Sequence, residues 1–300
     1  MGVARGDPVN STRLLAVAAL ALALATAGCD GGNGDGETGA QDAAASNPIA
    51  TAAVETLETG SARVFYDALI DSPQGQYSYT AEGEVDYDAF RAHLVFDVAS
   101  LPQTGSERAE VRFDGQDAYV RFPGGSTNVE LPAGKEWVRI SPPSDAATDQ
   151  PARLAPELDA VRQDPALFLR YLVSGATAVQ REQGTEDVRG VTARIYTALI
   201  DLDRVLAAGV EDLGLDEEQR ARARRVVEGV KTQLGGGPIP VTVNVDEQGL
   251  VRRVLLTFDR QTAPRQFVSA LTTTDYVDFG TAVDLEPPPA GRVVDSADLP

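Results

Sequence analysis

The residues that most often do chemistry are scarce in this chain of 300 residues. It has one cysteine, Cys29, and one histidine, His93. A hydrolase needs a nucleophile with a positioned base, and His93 lies on the polar face of a predicted strand, where we expect a histidine to be silent. The Gly124–Gly125–Ser126 sequence lacks the strand-to-helix context of a nucleophile elbow. With no cysteine pair or histidine cluster to bind zinc, we predict no enzyme, no metal and no cofactor.

Cys29 lies at the end of an apolar run, Leu14 to Cys29, that follows Arg5 and Arg13. The run is shorter than the ~20 residues of a membrane-spanning helix. A basic start, a short apolar core and small residues before a cleavage site are typical of an export signal. Thr26–Ala27–Gly28–Cys29 resembles the lipobox of bacterial lipoproteins, although Thr26 departs from its usual Leu or Val. The resemblance implies that Cys29 is lipidated and becomes the new N-terminus, and the alternative is an ordinary secretory signal.

We expect lipidated Cys29 to hold the protein on the extracytoplasmic face of the cell membrane, since two or more acyl chains anchor stably. Residues 30–47 are rich in Gly, Ala and acidic residues and predict a flexible tether with a root-mean-square reach of ~23 Å. The predicted organisation has four parts. These are a signal peptide (1–28), the lipidated cysteine and linker (29–47), one lipid-binding-type domain (48–285) and a loose C-terminal tail (286–300).

The charge of the chain limits its partners. Removal of residues 1–28 takes away Arg5, Arg13 and Asp7, which leaves 24 basic and 44 acidic residues and a net charge of −20. Such a chain is repelled by phosphate, so nucleic acid is excluded as a partner and anionic headgroups do not hold the domain flat. No cysteine remains for a disulfide, and we expect a monomer whose stability comes from its core.

Hydrophobic periodicity predicts a mostly β domain. Asn47–Pro48 marks a helix start, and Gly60 ends that helix. From Ser61 onward, apolar and polar residues alternate, as in antiparallel strands with one wet side. Helices are predicted at 156–163, 165–173, 203–208 and 216–234. The predicted strands lie at 63–70, 76–88, 90–98, 110–113, 118–122, 137–140, 176–182, 191–200, 241–245, 250–258 and 267–279.

The predicted fold class is α+β: a single large curved antiparallel β-sheet, a half-barrel of about ten to eleven strands, with helices packed over its concave face. Two small β domains split by a helical insertion are the alternative. The helix at 165–173 is apolar nearly all round, which indicates that it is covered on several sides or borders an apolar space.

Short motifs then suggest a family. Gly190–Tyr196 followed by Asp201 is the first, and Ile239–Asp246 followed by Gly249–Val254 is the second; both come after the Asp164–Pro165 helix start. With the lipobox and the acidic linker, they make residues 45–285 resemble LppX/LprG-type actinobacterial cell-envelope lipoproteins, distant structural relatives of Lol-type lipoprotein carriers.

The resemblance implies an apolar cavity that binds a lipid or acylated glycolipid, and a part in lipid transport, with a membrane transporter as candidate partner. The alternative is a cell-envelope interaction protein or scaffold with an acidic surface and a filled core, because the same residues form an ordinary core equally well. The residues expected to line the cavity are Tyr77, Tyr79, Phe90, Leu94, Phe96, Leu167, Phe168, Leu169, Leu172, Val241, Val243 and Val245.

Overall fold

Twelve strands form one sheet in the computed structural model, in the order β12-β6-β5-β4-β3-β2-β1-β11-β10-β9-β8-β7. The structure describes residues 47–72, 75–97, 108–114, 117–121, 131–140, 165–208, 237–263, 266–283 and 285–299, and seven positions between 217 and 231. The strands are β1 (Ser61–Ser72), β2 (Gly75–Asp86), β3 (Arg91–Asp97), β4 (Arg108–Asp114), β5 (Asp117–Arg121), β6 (Trp137–Ile140), β7 (Ala176–Val188), β8 (Val191–Ile200), β9 (Ile239–Asp246), β10 (Val251–Ala263), β11 (Gln266–Val277) and β12 (Val293–Asp295).

Every pairing between neighbouring strands is antiparallel except that of β12 with β6. The first half of the chain supplies β1 to β6, the second half supplies β7 to β11, and β1 joins the halves by pairing with β11. The predicted curved half-barrel with helices over it is therefore confirmed, with one strand more than expected. Residues 41–300, which contain every described residue, form one compact unit.

Within the continuously described ranges, three α-helices accompany the sheet: α1 (Pro48–Leu57), α2 (Pro165–Gly175) and α3 (Leu202–Ala208). The predicted start of α1 is confirmed, since Asn47 Oδ1 accepts hydrogen bonds from the backbone N–H groups of Ile49 (3.1 Å) and Ala50 (3.2 Å). These bonds satisfy N–H groups that have no partner inside the helix. Gly60 ends the connection to β1 with φ of 79°, a conformation that favours glycine.

The core lies between the helices and one face of the sheet, the inner face. Alternate residues of the strands point there and form one buried apolar cluster with Ile49 and Ala53 of α1 and Leu169 and Leu172 of α2. The opposite, outer face carries the charged residues of the same strands, so the predicted alternation holds. α1 contacts β7, β9 and β10, and α2 contacts β7, β8, α1 and α3.

The C-terminal residues correct one expectation. The sequence predicts a loose tail over 286–300, whereas Val293–Asp295 form β12 beside β6. Side chains of β4 and β6 help to hold this segment: Arg112 Nη1 donates to the carbonyl of Glu286 (2.9 Å), and Arg139 forms a bidentate pair with Asp295 (2.5 and 2.9 Å). A three-residue strand is too short to carry a periodic pattern, which is why the sequence does not indicate it.

One other prediction is wrong, and one is not tested. Phe90, expected on the inner face of β3, lies in the turn before it with φ of 55°. The predicted helix at 156–163 lies outside the described residues, as do Cys29 and the linker up to residue 46.

Where the chain is described, no helix has both the length and the apolar character needed to cross a membrane.

Candidate functional site

Three aromatic side chains on neighbouring strands form the centre of the inner face in the first half of the sheet. Tyr66 stacks on Tyr79 with ring centroids 5.9 Å apart, and Phe96 lies 6.3 Å from Tyr66 and 6.0 Å from Tyr79. All three are at most 5% exposed. Burial raises the pKa of Tyr66 to about 12, although hydrogen bonds with Tyr79 and Thr272 oppose the shift. Tyr66 therefore stays neutral at physiological pH.

Helix α2 contributes apolar side chains to the same cluster and joins the two halves of the sheet. Leu169 and Leu172 are fully buried, and the ring of Phe168 packs edge-on against Tyr171 at 5.9 Å. Arg170 on the same helix reaches the turn between β2 and β3. Its Nη2 donates to the carbonyl of Tyr87 (2.7 Å), and its guanidinium lies 4.0 Å above the ring of Phe90. A cation over an aromatic face is stabilised by the ring quadrupole, so α2 is held at this turn as well as at β7 and β8.

The structure places most of the predicted cavity residues on this inner face. Six of them are buried. Strands β2 and β3 supply Tyr79, Leu94 and Phe96, and alternate positions of β9 supply Val241, Val243 and Val245. The exception is Phe90, which approaches α2 through Arg170. Tyr77 and Leu167 belong to β2 and α2, but their side chains lie outside the described part of the structure.

A groove of about 680 Å³ lies on the outer face, across β3, β2, β1, β11 and β10. Sequence reasoning missed it, because each of its strands carries only a few alternating polar residues and nothing in that pattern indicates a concave surface. Among the described residues, Phe96 alone belongs both to the predicted cavity set and to this groove. The lining residues are Phe65, Tyr66, Asp67, Thr80, Ala81, Glu82, Val95, Phe96, Asp97, Arg108, Arg189, Arg253, Thr273 and Asp275.

One wall of the groove is a network centred on Asp275, whose side chain is 7% exposed. Arg253 binds it through Nε (2.6 Å) and Nη2 (3.0 Å), and Arg189 donates from Nε (2.9 Å). Hydrogen bonding to Asp275 raises the pKa of Arg253. Arg189 is at the turn between β7 and β8 with φ of 51°, and its guanidinium stacks 3.5 Å above the ring of Phe65. This stacking brings the β7–β8 turn over the outer surface of β11 and β1.

A second polar cluster surrounds Glu110 on the outer face of β4. Its carboxylate accepts hydrogen bonds from Arg121 Nε (3.0 Å) and Arg112 Nη2 (3.2 Å), and His93 Nε2 lies 3.0 Å from Oε1. His93, expected to be an exposed silent residue, is therefore half-buried beside a carboxylate. Burial lowers the pKa of His93, and the nearby Arg112 lowers it too, against the opposing effect of Glu110. No nucleophile accompanies this pair among the groups that the structure describes around Glu110.

Within the described residues, no three His, Cys, Asp or Glu side chains come together in a way that holds a metal ion. The carboxylates of Asp275 and Glu110 are each paired with two arginines. The chemistry that this arrangement offers is binding: apolar contact on the inner face, and dense hydrogen bonding on the outer face.

No protein-family model matches the chain, and no curated protein matches it. Among solved structures, it is similar to the lipoprotein LppX of Mycobacterium tuberculosis, with 16% identity and a TM-score of 0.40 over 80% of this chain and 100% of that one. LprF from Mycobacterium bovis gives 12% identity and a TM-score of 0.38 over 83% and 98%.

A DUF1329 family protein from Desulfovibrio piger gives 12% identity and a TM-score of 0.28 over 79% of this chain and 93% of that one. The sequence motifs indicate a resemblance to LppX/LprG-type lipoproteins, and LppX and LprF are among the solved structures that are similar to this chain.

Proposed function

We propose that the protein is an exported lipoprotein that is anchored through Cys29 and binds the acyl chains of a lipid or acylated glycolipid with its inner apolar face. It takes part in lipid transport or envelope maintenance and is not an enzyme. The observation that carries the proposal is the apolar face itself, which runs through both halves of the sheet and packs with apolar residues of α1 and α2 in one buried cluster. Burial of acyl chains needs only such non-directional apolar contact.

Helix α2 is the element that moves in this proposal. Arg170, in the middle of the helix, contacts the β2–β3 turn through a hydrogen bond to Tyr87 and a cation–π contact with Phe90, whereas Leu169 and Leu172 contact the core. In this proposal, a lipid enters when α2 moves away from that turn. The tether of ~23 Å keeps the domain close enough to the bilayer to receive its ligand.

A scaffold with a filled core is the second candidate. The close contacts among Tyr66, Tyr79 and Phe96, all at most 5% exposed, favour it for the first half of the sheet. In this alternative the protein works through its charged outer face and binds an envelope partner rather than a lipid.

Leu172→Trp separates the two candidates. In a hollow core the larger side chain occupies ligand space, so the variant keeps its melting temperature and loses bound lipid. In a filled core the extra volume costs about 1–3 kcal/mol, or ~2–10 °C in melting temperature, and no lipid is present in either protein. Mass spectrometry of lipid extracts from the purified proteins and thermal unfolding are the measurements. Val54→Trp, at a position 38% exposed on α1, is the matched control and changes neither.

A second substitution tests the lipid anchor in whole cells. Cys29→Ala is expected to release or mislocalise the protein while leaving its melting temperature unchanged, because residue 29 precedes the folded domain. Fractionation and immunoblotting measure this. Normal amounts of the variant in the membrane fraction contradict lipidation of Cys29, whatever the lipid extracts contain.

A further inference from the structure

We propose that the outer groove is a second binding site, which takes a neutral carbohydrate chain. Its volume of about 680 Å³ falls within the ~300–1,000 Å³ of small-molecule sites. Its polar and charged lining residues lie on the face of the sheet opposite the helices, whereas the proposed lipid site uses the inner face. Tyr66, Ala81 and Phe96, which are buried in the core, also line the groove. The proposal does not depend on lipid binding.

The floor of the groove is a cross-strand row of polar side chains. Thr273 of β11 pairs in register with Asp67 of β1, Asp67 with Thr80 of β2, Thr80 with Asp97 of β3, and Asp97 with Arg108 of β4. Because side chains in register share one face, these groups form a continuous line. Four strand spacings give the line a length of ~19 Å, so the floor suits an extended ligand.

The groups in this row match hydroxyl groups. The threonine hydroxyls both donate and accept, the aspartates accept, and the guanidinium donates. A sugar hydroxyl also donates one hydrogen bond and accepts others, so neighbouring hydroxyls of a saccharide satisfy such a mixed row. An apolar ligand displaces water from Asp67, Thr80 and Thr273 without replacing its hydrogen bonds and is disfavoured.

The charge of the groove favours a neutral ligand. The whole chain has 45 acidic and 26 basic residues, but the groove is lined by four carboxylates and three arginines. Two of the arginines, Arg189 and Arg253, already bind Asp275, and Arg63 outside the lining pairs with Glu82 at 3.4 Å. An anionic ligand therefore has to compete with Asp275 for these guanidiniums, and a cationic peptide meets arginines on the wall.

The wall that faces this row is fixed before any ligand binds. Arg253 Nη1 donates to Glu186 (2.6 Å), and Asn244 Nδ2 donates to the other oxygen of Glu186 (2.8 Å). This adds β7 and β9 to the network around Asp275. Groups that are held in place lose little entropy when a ligand arrives, which favours measurable affinity for a small polar molecule.

The test is saturation-transfer NMR of full-length protein with maltotriose, cellotriose and mannotriose, followed by titration of whichever binds. Asp67→Ala removes a central acceptor and is expected to raise the dissociation constant about tenfold. Asp71→Ala is the control, because Asp71 is exposed on the same face of β1 but is not among the lining residues. Thr273→Val, which preserves side-chain shape, is expected to weaken binding with an unchanged melting temperature.

The carbohydrate has two sources, a free glycan or the headgroup of a glycolipid, and two arms distinguish them. One arm uses the free trisaccharides, and the other uses phosphatidylcholine vesicles containing dodecyl maltotrioside. Saturable binding in either arm that Asp67→Ala weakens and Asp71→Ala preserves supports the proposal.

Absence of binding in both arms overturns the proposal, as does binding that Asp67→Ala and Thr273→Val leave unchanged. Stronger binding of trigalacturonate or of a chitosan trimer than of any neutral sugar also contradicts it, because the charge argument then fails. None of these outcomes bears on lipid extracted from the inner face, so the two proposals fail separately.

Discussion

The two faces of the sheet are built on different physical principles although they alternate along the same strands. On β3, Leu94 points to the inner face and is 1% exposed, whereas its neighbour Val95 borders the outer groove. The inner face depends on the amount of apolar surface that it buries, and one aliphatic side chain can substitute for another. The outer face depends on pairs and triples of charges, each of which needs its partner in place.

Because of this difference, the inner face suits the binding of apolar groups and the outer face suits the recognition of polar groups. A face that gains stability from non-directional contact can exchange one apolar neighbour for another, such as a side chain for an acyl chain. A face of fixed ion pairs around Asp275 and Glu110 keeps its geometry and suits recognition of polar groups.

The adjacent residues of β3 provide the largest contrast. Leu94→Ala is expected to lower the free energy of unfolding by about 2–5 kcal/mol, because it removes buried methyl groups and leaves a cavity. Val95→Ala removes partly exposed surface and is expected to cost about 1 kcal/mol or less. Urea unfolding of both variants measures the difference. Equal costs contradict a close-packed inner face at β3 and favour a hollow one.

The same contrast explains how much the sequence could predict. The inner face was predictable because period-two alternation alone identifies residues such as Leu94, Phe96 and Val243. The outer network was not, since Arg189 and Asp275 are separated by 86 residues and meet only when the β7–β8 turn lies over the sheet. Register and turn position are tertiary properties that a local pattern does not contain. Phe90 was misplaced because its left-handed backbone ends the alternation one residue before β3.

Removal of one charge on the outer face is expected to lower the free energy of unfolding by an intermediate amount. Glu110→Gln takes the charged acceptor from Arg112, Arg121 and His93 and is expected to cost about 1–3 kcal/mol, nearer the lower value because solvent screens the partly exposed arginines. Glu58→Gln, at an exposed position directly after α1, is the control and should change stability by less than ~0.5 kcal/mol. Chemical unfolding at neutral pH measures both.

The loss of unfolding free energy in Glu110→Gln should become smaller as the pH falls. Burial alone raises the pKa of Glu110, but hydrogen bonds and charge from Arg121, with His93 and Arg112, outweigh burial and lower it below the ordinary value of 4.5. A carboxyl group with a depressed pKa in the folded state stabilises the protein above its ordinary pKa and loses this contribution as the pH falls through the folded value. The difference between wild type and Glu110→Gln should therefore shrink in acid; a constant difference contradicts the ionic role.

The smallest expected effect concerns His93. Burial of this side chain lowers its pKa from the ordinary value of 6.5. In the unfolded chain the imidazole binds a proton first, so stability should fall as the pH drops below 6.5 and level off once His93 is protonated in the folded protein. His93 is the only histidine of the chain, which leaves this pH window free of other histidines. His93→Gln should reduce the slope in unfolding free energy between pH 7 and 5. In the Glu110→Gln background the slope should extend to lower pH, because the carboxylate no longer opposes the lowered pKa; an unaltered slope there shows that the two side chains are not coupled.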